Sequence, residues 1–425
     1  QPSQALASEA ISITPPASIV RPNLTAIPTH PSEPFAISVE NGVSVSWPDG
    51  KKSRFDNEYL LDHCRCPCCF HPHTKQRLKS LLEFPIKVHA RSVTNESDSV
   101  HIVWSTPNPH ASTFPHGFLR RASYDPPLSR RAVEERILWN KKIGQSPPVI
   151  QYESLLPSAV GEEQAERGVL RWLDKVHDFG FCLVSGVPAT PKDTEVLIQR
   201  IAMIRATHFG GFWDFTSDMA HGDLAYSSEA LPAHTDTTYL TDPAGLQIFH
   251  LVSHSGKGGM TLLLDAFYAA DLLSTLNPAS YSLLSRLRVP FHSSGTQGTL
   301  LRPAIDQPVL RHDDQGHLIQ VRWNNPDRGI LGVHWRPEEL RAWYRAARHF
   351  EELCRNDDAE YWMQLSPGTV LVIDNWRVMH GRSAFDGERR MCGAYIGADD
   401  WKSRRAALLR KFAGKKSDDI WADGW

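Results

Sequence analysis

Two histidines and one carboxylate constrain this chain more than any other feature. His234 and Asp236 lie in the run ALPAHTDTTYL, and His380 lies in the run DNWRVMHGR. Two His and one Asp are the donor set of the facial triad that holds non-haem Fe(II) and leaves positions open for oxygen and a cosubstrate. For residues so far apart to share one ion, the chain between them must return to a single rigid framework. Strand ends facing a cavity provide such a framework.

An H-x-D triplet alone is weak evidence in a chain with 20 His. It occurs at His221/Asp223, at His234/Asp236 and at His312/Asp314. His234 and Asp236 sit where turn-forming residues give way to TTYL, a β-prone run. His380 follows the apolar run TVLVID, opened by the turn residues Pro367 and Gly368. His312 lies in the polar run RHDDQGH and reads as surface.

The chain has 425 residues, enough for two domains, with 41% hydrophobic residues and a formal net charge of −2. That balance gives no reason to expect a nucleic-acid surface, and no apolar run is long enough to span a membrane. A soluble enzyme-sized protein is expected. The chain begins at Gln1 rather than Met. Residues 1–33 are rich in Ser, Ala, Pro and Ile, and Arg21 is their one Lys or Arg. They read as disordered or targeting-derived, although one basic residue does not make a transit peptide. Residues 416–425 read as a tail.

Residues 34–123 read as a small β-rich module. The run FAISVENGVSVSWPDGKKSRF alternates apolar and polar residues around turns at Asn41-Gly42 and Asp49-Gly50, and KVHARSVTNESDSVHIVWS continues the pattern. Residues 124–160, rich in Pro and Arg, read as a connector. A second domain is expected over 161–415. It has a helix ending at Gly180, the strand FCLVSGV, and a helix capped by Thr190 and Pro191. The strands GLQIFHLV and GMTLLLDAF follow, then helices over AADLLSTL and PASYSLLSRL and a longer one opened by Pro337. TVLVID and RMCGAYIG are the closing strands. This order predicts an α+β domain built on a β-barrel, with helices at one end.

Four of the seven cysteines fall within residues 64–69: Cys64, Cys66, Cys68 and Cys69. A disulfide framework would be dispersed, so the cluster reads as a metal site in a reducing compartment. Cys64, Cys66 and Cys69 can wrap one Zn(II), which needs a fourth ligand, commonly His. The candidates are His63, His71, His73, His89, His101, His110 and His116. His110 is favoured because it follows the strand SVHIVWS and opens what reads as a turn. Cys68 is then the spare thiol.

The runs HTDTTYLTDPAGLQIFHLV, GKGGMTLLLDAFYAA, VRWNNPDRG and IDNWRVMHGRSAFDGERRMCGAYI resemble the γ-butyrobetaine/trimethyllysine dioxygenase family of Fe(II)/2-oxoglutarate-dependent oxygenases. The resemblance runs from about residue 40 to about residue 410, cysteine module included. It implies a double-stranded β-helix (jelly-roll) catalytic domain with helices, a small N-terminal zinc-binding domain and a homodimer. It carries the iron ligands onto His234, Asp236 and His380. The distal carboxylate of 2-oxoglutarate needs a cation, and a guanidinium fork suits it. The family's arginine, four residues before the Gly of the last strand, falls on Arg389 before Gly393. Arg390 would point the other way in an extended segment. Thr261 matches a hydroxyl that assists the same carboxylate, and ascorbate is the implied reductant.

The resemblance also implies a small-molecule substrate with a trimethylammonium group. Such a cation has no N–H to donate and is held by aromatic faces. The matching positions are Phe209, Trp213, Tyr226 and Tyr395, and Phe209 departs from the Tyr usual in several relatives. Asp223 matches a position that carries Asn in γ-butyrobetaine dioxygenases, and a carboxylate there suits the α-ammonium group of trimethyllysine. Asn324 matches the position that bonds the substrate carboxylate. The expected reaction is C3 hydroxylation of Nε-trimethyllysine, the first step of carnitine biosynthesis, in the mitochondrial matrix or else the cytosol. The rival readings are γ-butyrobetaine hydroxylation, action on a methylated protein lysine, and a non-catalytic interaction protein built on the zinc module.

Overall fold

The computed structural model describes residues 32–85, 87–128, 135–216 and 227–412. The described residues form two compact units, one within residues 32–128 and one within residues 135–412.

In the first unit, two three-stranded antiparallel sheets follow from the alternation in the sequence. One is β1 (Phe35–Val39), β2 (Gly42–Ser46) and β3 (Lys52–Asp56), followed by α1 (Asn57–Asp62). The other is β4 (Ala90–Asn95), β5 (Ser99–Trp104) and β6 (His110–Pro115), followed by α2 (His116–Arg121). Asn95 ties the two together: its Oδ1 accepts from Ala36 N at 2.7 Å and its Nδ2 donates to Ala36 O at 2.9 Å. Val43, Val45, Phe55, Val100, Ile102 and Phe114 share one buried core.

The second unit is built on two large sheets, with two further two-stranded ribbons. The strands of the large sheets are β7 (Val149–Gln151), β8 (Phe181–Ser185), β9 (Trp213–Thr216), β10 (Leu231–His234), β11 (Leu246–His254) and β12 (Thr261–Asp265). They continue with β13 (Tyr361–Met363), β14 (Thr369–Asp374), β15 (Val378–Arg382) and β16 (Arg389–Ile396). One sheet has the order β9-β16-β11-β14-β8-β7 and the other β10-β15-β12-β13. The period-2 alternation of strands sorts their side chains into layers. Along β14, Leu371 and Ile373 join a core with Leu263 and Val378 from the smaller sheet. Val370 and Val372 face the opposite way, into a cluster with Trp172, Leu197 and Trp401. Those three belong to α3 (Glu162–Phe179), α4 (Pro191–Gln199) and α8 (Ala398–Phe412). On the smaller sheet, Leu264 and Met379 pack with Leu273, Leu284 and Trp343. These come from α5 (Ala266–Leu276), α6 (Pro278–Arg286) and α7 (Pro337–Cys354). The helices therefore cover the outer faces of both sheets, not one end as expected, because each sheet's outward apolar set needs its own cover.

The expected helix stop at Gly180 is present. Its φ of 75° is left-handed, and a Cβ there would lie 2.6 Å from Val378 Cγ2. The expected connector is not one throughout. Val149–Gln151 pairs in parallel with Leu183–Ser185, and Trp139 is buried between the sheets. A Pro-rich stretch shows no periodicity, yet single apolar residues in it can still be anchored. Arg377 and Asp265, both fully buried, form a two-pronged pair (Nε–Oδ1 3.1 Å, Nη2–Oδ2 2.8 Å) that holds the ends of β12 and β15. The carbonyls of Ile137 and Asp178 take further Arg377 hydrogens, so the buried cation is satisfied. Among the described residues no helix is long and apolar enough to cross a membrane.

Candidate active site and metal clusters

His234 ends β10 and stands directly opposite His380 of β15 in the antiparallel register. Their ring centroids are 4.4 Å apart. Asp236 completes the group, with Oδ1 3.1 Å from His234 Nε2 and Oδ2 3.9 Å from His380 Nε2. One donor atom from each residue can be chosen so that all lie within 4.8 Å of one another. Adjacent ligands of an ion bound at about 2.1 Å lie about 3 Å apart, so the set needs little adjustment to share one ion. His234 Nδ1 lies 2.8 Å from Pro232 O, which selects the tautomer with Nε2 free to ligate. Burial, and then the neighbouring His234, lowers His380 to about 3, leaving a neutral ring with a lone pair to give. Asp236 sits well below the usual carboxylate range: burial opposes its charge, but the histidines and the Tyr395 hydroxyl outweigh it.

Asp236 is held by partners the sequence did not announce. Gln247 Nε2 and Tyr395 Oη donate to its Oδ2 at 2.6 and 3.0 Å. Asn375 Oδ1 accepts its backbone N–H at 2.7 Å, and Asn375 Nδ2 donates to its carbonyl at 3.0 Å. Gln247 and Tyr395 are register partners on β11 and β16.

These groups line a cavity of about 410 Å3, the size of a small-molecule site. Its walls include inward-facing residues of four strands. Arg389, Met391 and Tyr395 come from β16, Gln247 and Phe249 from β11, His380 and Arg382 from β15, and Thr261 from β12. Arg389 is 5% exposed and its Nε is buried without a hydrogen-bond partner. Its guanidinium lies 5.6 Å from the Phe385 ring centre and meets no carboxylate among the described residues. Burial lowers its pKa to about 10. A buried cation facing a cavity without an anion has the chemistry of a carboxylate site. Arg390 points the other way, as alternation requires, and pairs with Asp214 at 2.8 and 2.6 Å. Thr261 is buried opposite Arg382 in the β12·β15 register.

Phe209, Trp213 and Tyr395 all line the same cavity, joined by Phe215, Tyr239 and Phe249, which the sequence reading did not single out. Trp213 lies opposite Gly393 in the register. A Cβ at 393 would come within 2.4 Å of its ring and 1.9 Å of Ile248 O. The glycine therefore makes room for the indole. Asn324 also lines the cavity, its Nδ2 donating to Asp327 Oδ2 at 2.8 Å. Asp223, Tyr226 and His221 lie outside the described residues. His312 is not the free surface residue expected: it closes a strand, Leu310–His312, and its Nε2 is 2.7 Å from Tyr281 Oη.

In the first unit, Cys64, Cys66, Cys69 and His110 bring one donor atom each within 4.8 Å of one another, while Cys68 is exposed outside the group. His110 opens β6 rather than a turn, which fixes its ring from the sheet; its Nε2 is 3.6 Å from Cys69 Sγ. Sulfurs bound to Zn(II) at about 2.3 Å are about 3.8 Å apart, so the set fits a tetrahedral ion. Burial, then charge on Cys64 and Cys66, drives the Cys69 thiol far above its ordinary range, and burial raises Cys64. A dication offsets that repulsion.

Residues 147–395 match the family model described as taurine catabolism dioxygenase TauD, TfdA family. The chain belongs to the TauD/TfdA dioxygenase family. Residues 37–120 match a second model, described as gamma-butyrobetaine hydroxylase-like, N-terminal. The dioxygenase is 38% identical to the trimethyllysine dioxygenase of Meyerozyma guilliermondii, over 86% of this chain and 92% of that protein. It is 35% identical to the mitochondrial trimethyllysine dioxygenase of Bos taurus, over 82% and 81% of the two chains. The gamma-butyrobetaine dioxygenase of a Pseudomonas species is 30% identical, over 88% of this chain and 96% of that one. The protein is an Fe(II)/2-oxoglutarate-dependent dioxygenase of this group.

Proposed function

We propose that the dioxygenase hydroxylates Nε-trimethyllysine at C3, consuming O2 and 2-oxoglutarate and giving 3-hydroxytrimethyllysine, succinate and CO2, the first step of carnitine biosynthesis. The observation that carries this reading is the His234/Asp236/His380 cluster opening onto the cavity that also contains Arg389 and the aromatic wall. The higher identity to trimethyllysine dioxygenases than to the γ-butyrobetaine enzyme favours the substrate.

On this reading His234, Asp236 and His380 hold Fe(II), which with 2-oxoglutarate supplies the oxygen activation needed to break a C–H bond. Gln247 and Tyr395 pin Oδ2 of Asp236 and so fix the plane of the carboxylate that would hold the ion. Arg389, helped by Thr261, binds the distal carboxylate of 2-oxoglutarate. Phe209, Trp213, Tyr226 and Tyr395 present ring faces to the trimethylammonium group, while Asp223 and Asn324 take the amino-acid end. Between them these contacts set which carbon faces the metal and exclude water. Cys64, Cys66, Cys69 and His110 hold a structural Zn(II), ascorbate keeps the iron reduced, and the enzyme works as a homodimer in the mitochondrial matrix.

A competition assay tests the reading. Purified protein receives Fe(II), 2-oxoglutarate, ascorbate and O2 with equimolar trimethyllysine and γ-butyrobetaine, and mass spectrometry reports which gains oxygen. Hydroxylated trimethyllysine with matching succinate is expected. Hydroxylated γ-butyrobetaine alone overturns the substrate and keeps the chemistry.

A further inference from the structure

Among the described residues the cavity is lined by two carboxylates, Asp236 and Asp327. Asp236 belongs to the iron cluster. Asp327 has no part in the scheme above. It sits in the run Asn324-Asn325-Pro326-Asp327, and hydrogen bonds tie it to the segment that carries the iron ligands. Its Oδ2 accepts from Asn324 Nδ2 at 2.8 Å and from Thr238 Oγ1 at 3.4 Å. Asn324 Nδ2 also reaches Thr235 O at 3.4 Å, and Thr235 N donates to Trp323 O at 2.8 Å. Thr235 and Thr238 flank Asp236. From the other side, His292 N donates to Asp327 O at 2.9 Å. The carboxylate is thus held by fixed backbone and buried side chains next to the metal cluster. The cavity's two arginines, Arg382 and Arg389, come from the strands β15 and β16 instead.

The geometry of the substrate says what such a charge is for. In trimethyllysine the α-nitrogen is two bonds from C3, and the quaternary nitrogen is four bonds from it. When C3 faces the metal, the α-ammonium group must lie close to the metal-binding segment, and the trimethylammonium group further along the cavity. An ammonium group has three donors and needs several acceptors when taken out of water. γ-Butyrobetaine has no amine and would bring its own carboxylate toward the same end, where a fixed negative charge repels it.

We propose that Asp327 binds the α-ammonium group of the amino-acid substrate and rejects ligands that present a carboxylate without an amine. The assignment rests on the proposed function, and it adds a selecting charge beyond Asp223. Asn324 and Thr238 hold Oδ2, fixing the plane of the carboxylate that the ammonium meets.

The test compares trimethyllysine with 6-(trimethylammonio)hexanoate, the same molecule with the α-amino group replaced by hydrogen. On the wild-type enzyme kcat/KM for the amine-free analogue is expected to be at least about 10-fold lower, the low end for a lost hydrogen bond to a charged group. Asp327→Asn keeps an oxygen for Asn324 and Thr238 and removes the charge. It should lower kcat/KM for trimethyllysine by at least about 10-fold, chiefly through KM, and leave the analogue unchanged or improved. The KM for 2-oxoglutarate should not move, and Asp327→Glu should recover part of the loss. An equal loss on both substrates would make Asp327 a prop for Asn324 and overturn the proposal. If Asp327→Asn does not fold, the wild-type ratio decides: a preference under about 3-fold overturns it. Wild-type enzyme that acts on γ-butyrobetaine and not on trimethyllysine overturns the proposed function first, and this inference with it.

Discussion

Gln247 Nε2 lies 2.6 Å from Asp236 Oδ2, the shortest of the contacts that orient the carboxylate of the His234/Asp236/His380 cluster. The next two residues along the same face of β11, Phe249 and Leu251, are apolar. An amide N–H buried in that row needs an acceptor, and Asp236 Oδ2 is that acceptor. Outer partners of metal ligands are worth about 10–100-fold in metal affinity. Gln247→Leu should therefore weaken Fe(II) binding by about that factor with the fold intact. Anaerobic Fe(II) titration checks it, and unchanged affinity would reduce Gln247 to packing.

Arg389 gives a second prediction. A buried guanidinium without an anion is costly unless a ligand completes it. Arg389→Met removes the charge and keeps much of the volume. It should raise the KM for 2-oxoglutarate by about 100-fold, as expected for a two-pronged charged contact worth about 3 kcal/mol. The KM for trimethyllysine should change far less. Initial-rate measurements with each substrate varied separately would reveal equal effects, which would remove the assignment.

The two candidate clusters were legible in the sequence because metal chemistry restricts residue type: His234, Asp236, His380 and the Cys64–Cys69 run stand out by what they could bind, and each set comes together in space. Strands such as TVLVID were legible from composition, and the opposite aims of Arg389 and Arg390 from alternation. Gln247 was not. It interrupts an apolar strand, where one polar residue looks like noise until the partner strand is known to bring Tyr395 beside it. The signal was a Gln on the inward phase of a buried strand. Trp139 and Val149–Gln151 were missed for a related reason. Their place is set by contacts distant in sequence, and a Pro-rich stretch carries no periodic mark of them.

His250 predicts a pH dependence of stability. It is fully buried on the outward phase of β11. Thr194 Oγ1 donates to Thr190 O at 2.7 Å, so it accepts from His250 Nδ1 at 2.6 Å. His250 Nε2 accepts from Gly368 N at 3.1 Å. That arrangement needs the neutral ring, and burial lowers its pKa to about 4. In the unfolded chain the value is about 6.5. The unfolded state therefore takes up the proton first as pH falls. Stability is full above about pH 6.5 and declines toward pH 4, with about 2 kcal/mol lost by pH 5. Urea unfolding of wild type and His250→Gln between pH 7 and pH 5 should show a shallower decline in the variant, and parallel curves would assign the pH effect to other groups.

The four clustered cysteines differ in their surroundings. Cys64 is buried, and Cys69 lies against His110, while Cys68 is exposed and outside the group. If Zn(II) is held by Cys64, Cys66, Cys69 and His110, the purified protein should contain one zinc per chain. Cys68→Ser should keep it, and Cys64→Ser or His110→Ala should lose it. Binding at such sites is coupled to folding, so metal loss should also loosen residues 34–123. Strong chelation of wild type should therefore raise proteolytic cleavage within residues 34–123 to the level seen in Cys64→Ser. Elemental analysis with limited proteolysis reads both effects. Zinc lost from Cys68→Ser as completely as from Cys64→Ser would mean that the spare thiol had been misassigned.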